Sequence, residues 1–195
     1  MSTNPVRLIV GLGNPGAEYV RSWHNLGFMV VDALRQHEDF RYGDWTTARQ
    51  GQAELALCTL PGSRLMLAKP QTGMNHSGQA VLALMQEYHL RLDDLWIIHD
   101  ELDLPLGKLR ISRNATAAGH RGVQSIQEVL DTTALVRFRV GIATPARAQA
   151  EAEAYVLQPI PADAEAAVQE AVGRTVEAIL LAQMSGVTEA MNQCN

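Results

Sequence analysis

Three short polar segments of this sequence carry side chains suited to hydrolysis, and each accompanies an apolar run typical of a β-strand. They are Asn14-Pro15-Gly16 with Tyr19 and His24, Lys69 to Asn75, and His99 to Asp103. In open α/β sheets, functional groups gather beyond the carboxyl ends of the strands. We therefore expect these segments to bring two asparagines, a histidine and an aspartate into one small hydrolytic site.

The chemistry of such a site follows from the residue types. A histidine titrating near neutral pH can take a proton from water, and a carboxylate on its other ring nitrogen fixes its tautomer and orientation. Amide side chains both donate and accept hydrogen bonds, so they can hold that water and bind a carbonyl. His24 on its own is typical of a surface or structural histidine, and only its combination with the other segments makes it a candidate.

A metal site and a serine nucleophile are the alternatives. The potential metal ligands are His99, Asp100, Glu101 and Asp103. No second cluster has the spacing of a ligand pair and there is no H-E-x-x-H motif, so we expect no metal and no other cofactor. Ser77 and Ser125 lack a G-x-S-x-G motif, and Ser77 is more simply interpreted as a helix cap.

The first segment also matches a dinucleotide fingerprint by its letters, because Gly11, Gly13 and Gly16 spell G-x-G-x-x-G. That fingerprint requires a strand, a turn, a helix and a second strand. Only nine residues, Ala17 to Asn25, follow Gly16 before a run with helical periodicity, in which Asn25 is a possible cap. Asp32 would lie in the middle of that helix. We therefore predict a turn that presents Asn14 instead of a dinucleotide site.

Hydrophobic periodicity predicts strands alternating with helices. The predicted strands are Leu8–Val10, Ala53–Leu60, Leu65–Lys69, Leu95–His99, Lys108–Ser112 and Val136–Ile142. The predicted helices are Asn25–His37, with Asn25 as a possible cap, Ser77–His89, Val123–Leu130 and Ala162–Met184. We expect an α/β fold with a mixed sheet, in which a turn at Leu60-Pro61-Gly62-Ser63 joins two antiparallel strands.

Length and composition favour a single domain over residues 1–195, with 47% hydrophobic residues to form a core. We find no export signal and no apolar run long enough for a membrane span, so we expect a cytoplasmic protein. Cys58 and Cys194 form no C-x-x-C pair and are expected to be unreactive.

Charge is distributed unevenly along the chain. The net charge is −5, but residues 107–147 carry seven basic and two acidic residues, so this stretch is +5 and the remainder −10. A basic segment on an acidic protein can direct a polyanion to one place. A solvated face with internal salt bridges is the alternative, and composition alone leaves both open.

Six blocks of sequence, in this order and spacing, resemble the bacterial-type peptidyl-tRNA hydrolases over residues 6–191. The blocks are GLGNPGAEY, WHNLGF, KPQTGMNHSG, HDELDLPLGKLRISR, AGHRGVQSI and RFRVGIATP. The resemblance implies one α/β domain with a twisted mixed sheet and helices on both faces, a monomer, and no cofactor. It also implies hydrolysis of the ester that joins a peptide to the 3′ ribose of tRNA.

The resemblance further implies roles for individual residues. His24 would be the catalytic base, Asp100 would orient it, and Asn14 and Asn75 would hold the water and the peptide. The residues expected to contact substrate are Tyr19, Met74, His120 and Arg121. Those expected to bind tRNA phosphates are Lys108, Arg110, Arg113 and Arg139, since Lys108 and Arg110 alternate with apolar residues on one predicted strand.

Three positions depart from the family pattern. Gly73 stands where an aromatic residue is usual, His76 where leucine is usual, and Arg121 where an asparagine is usual. Arginine cannot accept a hydrogen bond, so Arg121 cannot replace the asparagine amide. Three roles stay open for it: contacting a phosphate through its planar fork, lowering the pKa of a nearby carboxyl group, or pointing into solvent and leaving the site one contact short. The departures keep open a second hypothesis, a catalytically weakened or inactive relative that binds RNA.

Overall fold

The computed structural model of the protein describes residues 6–38, 40–48, 52–60 and 63–195. Seven strands form one sheet within these residues. They are β1 (Val6–Gly11), β2 (Thr46–Thr47), β3 (Ala53–Leu60), β4 (Ser63–Pro70), β5 (Leu95–Pro105), β6 (Leu109–Ser112) and β7 (Val136–Ala143).

The sheet is mixed, with the order β2-β3-β4-β1-β5-β7-β6. Its four central strands run parallel, since β1 pairs with β4 and β5, and β5 pairs with β7. The remaining strands join antiparallel at the two edges. The carboxyl ends of β1 and β4 therefore lie at the same edge of the sheet as the later part of β5.

Helices cover both faces of this sheet. They are α1 (Leu26–Arg35), α2 (Ser77–Glu87), α3 (Arg121–Leu130), α4 (Ala152–Val156), α5 (Glu165–Ser185) and α6 (Val187–Cys194). Side chains alternate along β1, so Ile9 packs in the cluster that contains α1 and α5, whereas Leu8 and Val10 pack in the cluster that contains α2 and α3. Leu8, Ile9 and Val10 form an unbroken apolar run because both faces of β1 are buried there.

Close approach of β1 to α1 explains two of the glycines. A Cβ on Gly11 would lie 2.2 Å from the carbonyl oxygen of Gly27, and a Cβ on Gly27 would lie 2.4 Å from the backbone nitrogen of Leu12. Gly11, at the end of β1, and Gly27, in α1, thus allow the strand and the helix to pack closely. Asp32 lies within α1 and bonds Trp45 and Lys69, so the dinucleotide interpretation is excluded here as well.

The predicted α/β class and mixed sheet are confirmed, with corrections to individual elements. The polar segment from His99 to Asp103 does not follow β5 but lies inside it. The long C-terminal helix begins at Glu165 rather than Ala162, and α4, α6 and β2 were not predicted. Antiparallel pairing of β3 with β4 is confirmed, while Pro61 and Gly62 of the predicted turn lie outside the described residues.

Neither of the two predicted caps bonds its helix through its side chain. Asn25 occupies the position before α1, but its side chain bonds the backbone of Asn14 instead of the helix. His76, not Ser77, precedes α2, and the hydroxyl of Ser77 donates to the carbonyl of Met74. Both side chains therefore hold loops of the site.

Candidate active site

A cavity of about 880 Å³ opens at the carboxyl ends of β1 and β4. Its walls come from the loops after β1 and β4, from β5, from the start of α3 and from the segment around α4. The eight residues predicted for catalysis or substrate contact all line it: Asn14, Tyr19, His24, Met74, Asn75, Asp100, His120 and Arg121. The structure thus brings together all the residues predicted for catalysis and substrate contact.

His24 and Asp100 form the centre of the cavity floor. Nδ1 of His24 lies 2.9 Å from Oδ1 and 3.1 Å from Oδ2 of Asp100. Because a carboxylate only accepts, Nδ1 carries the proton and Nε2 keeps its lone pair. Nε2 bonds to no residue in the described part of the chain, so it is free to accept a proton from water.

Asp100 is almost fully buried, with 2% of its surface exposed. Burial alone would raise the pKa of its carboxyl group, but attraction to His24 and His120 and hydrogen bonds from both imidazoles hold that pKa well below its usual range. The carboxylate is therefore charged at any pH at which the imidazoles can act.

His120 is the second imidazole on Asp100. Its Nε2 lies 2.9 Å from Oδ1 of Asp100, and its Nδ1 accepts a hydrogen bond from the backbone of Val123 at the start of α3. Its ring contacts His24 and His99, with centroid separations of 4.8 and 4.6 Å. Both of its ring nitrogens are therefore engaged within the protein.

A buried pair, His99 and Arg137, lies beneath the site. Nη1 of Arg137 lies 3.4 Å from Nε2 of His99, and Nδ1 of His99 lies 2.6 Å from the carbonyl oxygen of Asp100. Burial, reinforced by His120 and Arg137, lowers the pKa of His99 well below 6.5. Burial and the nearby Arg139 lower the pKa of Arg137 to about 10. His99 is thus a neutral residue of β5 that lies between the buried cation of Arg137 and the carbonyl of Asp100.

Asn14 is held on three sides. Its backbone N–H donates to Oδ1 of Asn25 and its carbonyl accepts from Nδ2 of Asn25, at 2.8 and 2.9 Å. Oδ1 of Asn14 accepts from the backbone N–H of Met74 at 2.8 Å. The amide orientation is therefore fixed, and Nδ2 of Asn14 remains as a donor for a ligand in the cavity.

The loop after β4 forms a second wall. Met74 is buried, whereas Asn75 and His76 are exposed to the cavity. Gly73 has a φ of +79°, and a Cβ built there has no atom within 4 Å. The cavity is therefore open where the family pattern places an aromatic side chain.

The basic residues predicted for tRNA binding differ in exposure. Lys108, Arg110 and Arg113 are exposed on or next to β6. The side chain of Arg139 is only 15% exposed, and its Nε donates to Oε2 of buried Glu101 at 2.8 Å. Arg139 thus already has an anionic partner in this structure. Arg121 is exposed at the first position of α3 and lines the cavity.

One group of potential metal ligands lies within the described residues. Ligand atoms of His24, Asp100 and His120 all lie within 4.8 Å of one another. Nδ1 of His24 and Nε2 of His120 donate to Asp100, so hydrogen bonds already join the three residues. Of the other ligands considered from the sequence, His99 bonds a carbonyl oxygen and Glu101 bonds Arg139.

Several residues of the site gave no signal in the sequence. Asn25 holds Asn14, and its place directly after His24 is the one feature that could have suggested a role. Cavity residues that were not predicted include Leu102, Gln124, Glu151, Glu153, Val156 and Leu157. Those from the α4 segment reach the site only through tertiary folding.

An α/β fold with a histidine–aspartate pair at the strand ends and amide donors beside it defines a hydrolase-type site. A family model described as peptidyl-tRNA hydrolase matches residues 8–195, so the chain belongs to the peptidyl-tRNA hydrolase family.

Similar proteins agree over nearly the full length. Peptidyl-tRNA hydrolase of Desulforamulus reducens is 41% identical over 190 residues, covering 97% of this chain and 89% of that protein. That of Chloroflexus aurantiacus is 43% identical over 189 residues, covering 96% and 98%. The crystal structure of peptidyl-tRNA hydrolase from Acinetobacter baumannii matches with a TM-score of 0.86 at 29% identity, covering 100% of this chain and 97% of that chain.

No helix of the described residues combines the length and the apolar character that crossing a bilayer requires.

Proposed function

We propose that this protein hydrolyses the ester bond between the peptide and the 3′ ribose of peptidyl-tRNA, with His24 as general base. The observation that carries the proposal is the His24–Asp100 contact, which leaves the lone pair of Nε2 free in a cavity lined by amide side chains. Membership of the peptidyl-tRNA hydrolase family supplies the substrate class.

The reaction follows from the proton positions. Nε2 of His24 takes a proton from water as the water oxygen attacks the ester carbonyl, and Asp100 stabilises the imidazolium that forms. Nδ2 of Asn14 and the amide of Asn75 donate to the oxygen that becomes negative in the tetrahedral intermediate. The intermediate collapses with cleavage of the carbon–oxygen bond, and His24 returns the proton to the 3′ oxygen of the ribose. Tyr19 and Met74 line the space for the peptide.

The test is hydrolysis of an N-acetyl-aminoacyl-tRNA by the wild type and His24→Asn. Asparagine keeps a donor near the position of Nδ1 and so preserves the bond to Asp100, but it has no basic atom in place of Nε2. We expect kcat to fall about 10²- to 10⁴-fold, with unchanged affinity for uncharged tRNA. His89→Asn, at an exposed histidine just beyond α2, is the matched control. A wild type inactive between about pH 6 and 8, or full activity of His24→Asn, would contradict the proposal.

The alternative of a non-catalytic RNA-binding relative has no support. Binding RNA does not require a buried carboxylate paired with an imidazole, or an asparagine whose donor is fixed toward the same cavity.

The basic residues would hold the tRNA. Exposed cations lie on or next to β6, at Lys108, Arg110 and Arg113. Arg139 adds the guanidinium nitrogens that do not bond Glu101. Such contacts position a nucleic acid without reading its sequence, which suits an enzyme that acts on many tRNAs.

Arg121 would contact the phosphate nearest the scissile ester, because its side chain is exposed at the cavity wall and its fork matches phosphate geometry. Arg121→Asn tests this role. Weaker tRNA binding with a smaller salt dependence supports a phosphate contact, whereas a change in kcat alone contradicts it and places Arg121 in the chemistry.

We further propose that the protein acts as a monomer in the cytoplasm, without a cofactor. A molar mass of about 21.3 kDa in solution, measured by light scattering, is the expected result for the monomer.

A further inference from the structure

We infer that His120 is a positioning residue for the reaction: it donates to Asp100 and so sets how strongly that carboxylate holds the protonated form of His24. This role rests on the proposed function, and it replaces the substrate contact expected for His120 from the sequence.

The tautomer of His120 follows from its two partners. The N–H of Val123 can only donate, so Nδ1 of His120 accepts at 3.3 Å and the ring proton lies on Nε2. Nε2 therefore donates to Oδ1 of Asp100 at 2.9 Å, the same oxygen that lies 2.9 Å from Nδ1 of His24. One carboxylate oxygen thus serves two imidazoles.

The surroundings hold His120 in this place. Its side chain is only 7% exposed, and its ring lies against both His24 and His99. The loop that precedes it is anchored because Nη2 of Arg137 donates to the carbonyl of Thr116 and Nε2 of Gln127 donates to the carbonyl of Ala115, at 2.9 and 2.8 Å.

The sharing of Asp100 by two imidazoles has an energetic consequence for His24. A carboxylate that accepts a strong bond from His120 has less negative charge to offer the imidazolium of His24. Without His120, the charge of Asp100 would act on His24 alone, and the carboxylate would lose the contact that limits its rotation. Asp100 would then bind the imidazolium of His24 more strongly and orient its ring less well.

Several elements contribute charged or titratable groups to the cavity that contains His24. Asp100 on β5 and His120 before α3 face its ring directly, and His99 lies on the other side of His120. The remaining charged residues of the cavity wall are Glu101, Arg121, Glu151 and Glu153. None of them is hydrogen-bonded to His24 within the described residues, so Asp100 and His120 dominate its surroundings.

Two substitutions separate the bond to Asp100 from the helix cap. His120→Asn places an amide oxygen near the position of Nδ1 and retains the cap, because asparagine is a favoured residue there, but it does not reach Asp100. His120→Gln extends an amide N–H toward the position of Nε2 and retains the donor to Asp100 at the expense of the cap. His89→Asn and His89→Gln are the matched controls.

The experiment measures kcat, KM and the pH profile of N-acetyl-aminoacyl-tRNA hydrolysis, together with thermal unfolding. For His120→Asn we expect near-normal thermal unfolding, an unchanged KM and a kcat reduced by up to about 10-fold. We also expect the acid limb of its pH profile to move to higher pH by about 0.5 unit or more. For His120→Gln we expect kcat and the acid limb to return toward the wild type.

Three outcomes overturn the inference. They are wild-type kcat and acid limb in His120→Asn, equal losses of kcat in both variants, or an effect on KM alone. If His120→Gln does not fold, the acid limb of His120→Asn decides, and an unshifted limb overturns the inference. A wild type without activity would instead contradict the proposed function.

Discussion

The backbone N–H of Met74 donates to Oδ1 of Asn14 across 2.8 Å and joins the loops that follow β1 and β4. The bond determines which end of the Asn14 amide faces the cavity. An amide oxygen committed to Met74 leaves the NH₂ group as the ligand-facing end, so the site gains a fixed donor without using a charged residue.

Asn14→Asp tests this orientation. The carboxylate still accepts from Met74, but it places a second acceptor where Nδ2 donates, and we expect kcat to fall about 10²- to 10³-fold with little change in thermal unfolding. Asn14→Ala is the comparison, since it removes both contacts and should also lower stability, by about 1 kcal/mol for the lost bond. Retained activity in Asn14→Asp would show that Nδ2 is not a donor to the reacting oxygen.

The main elements of the fold could be predicted from the sequence because both faces of the central strands are buried. The segment from His99 to Asp103 could not be assigned, because polarity normally indicates a loop. Here buried polar side chains continue β5, and Asp100 and Glu101 have imidazole and guanidinium partners from other elements. Helix α6 was missed because Gly186, with a φ of +91°, separates it from α5.

The site was predictable as a set of residues but not as a network. Spacing and resemblance indicated His24 and Asp100, yet the second imidazole on Asp100 depends on the tautomer of His120, which the start of α3 determines. Likewise, the pairing of Arg139 with Glu101 depends on the alignment of β5 with β7, which residue types do not encode.

The exposed cations beside β6 are expected to bind phosphate. In the double variant Lys108→Ala, Arg110→Ala, tRNA affinity should fall, and the slope of log affinity against log salt should decrease by about one to two. We expect kcat at saturating substrate to change little, because neither side chain lines the cavity. Arg64→Ala, at an exposed residue of β4, is the control. An unchanged salt slope in the double variant would place the tRNA elsewhere.

The contact between Gly11 and Gly27 is expected to limit substitution at both positions. In Gly27→Ala the new methyl group would meet backbone atoms of Leu12 and Ile98 at 2.4–2.5 Å. Backbone cannot move aside as a side chain can, so we expect a loss of about 1–3 kcal/mol or more in the free energy of unfolding. Gly173→Ala, on α5 with nothing within 4 Å of the built Cβ, is the control and should be neutral or slightly stabilising. Equal urea midpoints for the two variants would contradict this packing argument.

His99 is expected to make stability depend on pH. Its pKa is lower in the folded chain than the ordinary 6.5, chiefly because the ring is buried, so the unfolded chain takes up a proton that the folded chain refuses as pH falls below about 6.5. This contribution to stability is present above that pH and is lost on acidification, by up to about 1.4 kcal/mol per pH unit. This dependence is measured by urea unfolding of the wild type and His99→Gln at pH values of about 5.5, 6.5 and 7.5, which lie around the ordinary histidine pKa.

The variant should be less stable at the highest pH because its buried contact with Arg137 is weakened, yet it should lose less stability on acidification. His89→Gln should keep the wild-type pH dependence, and the same dependence in His99→Gln would show that His99 is not the group that titrates.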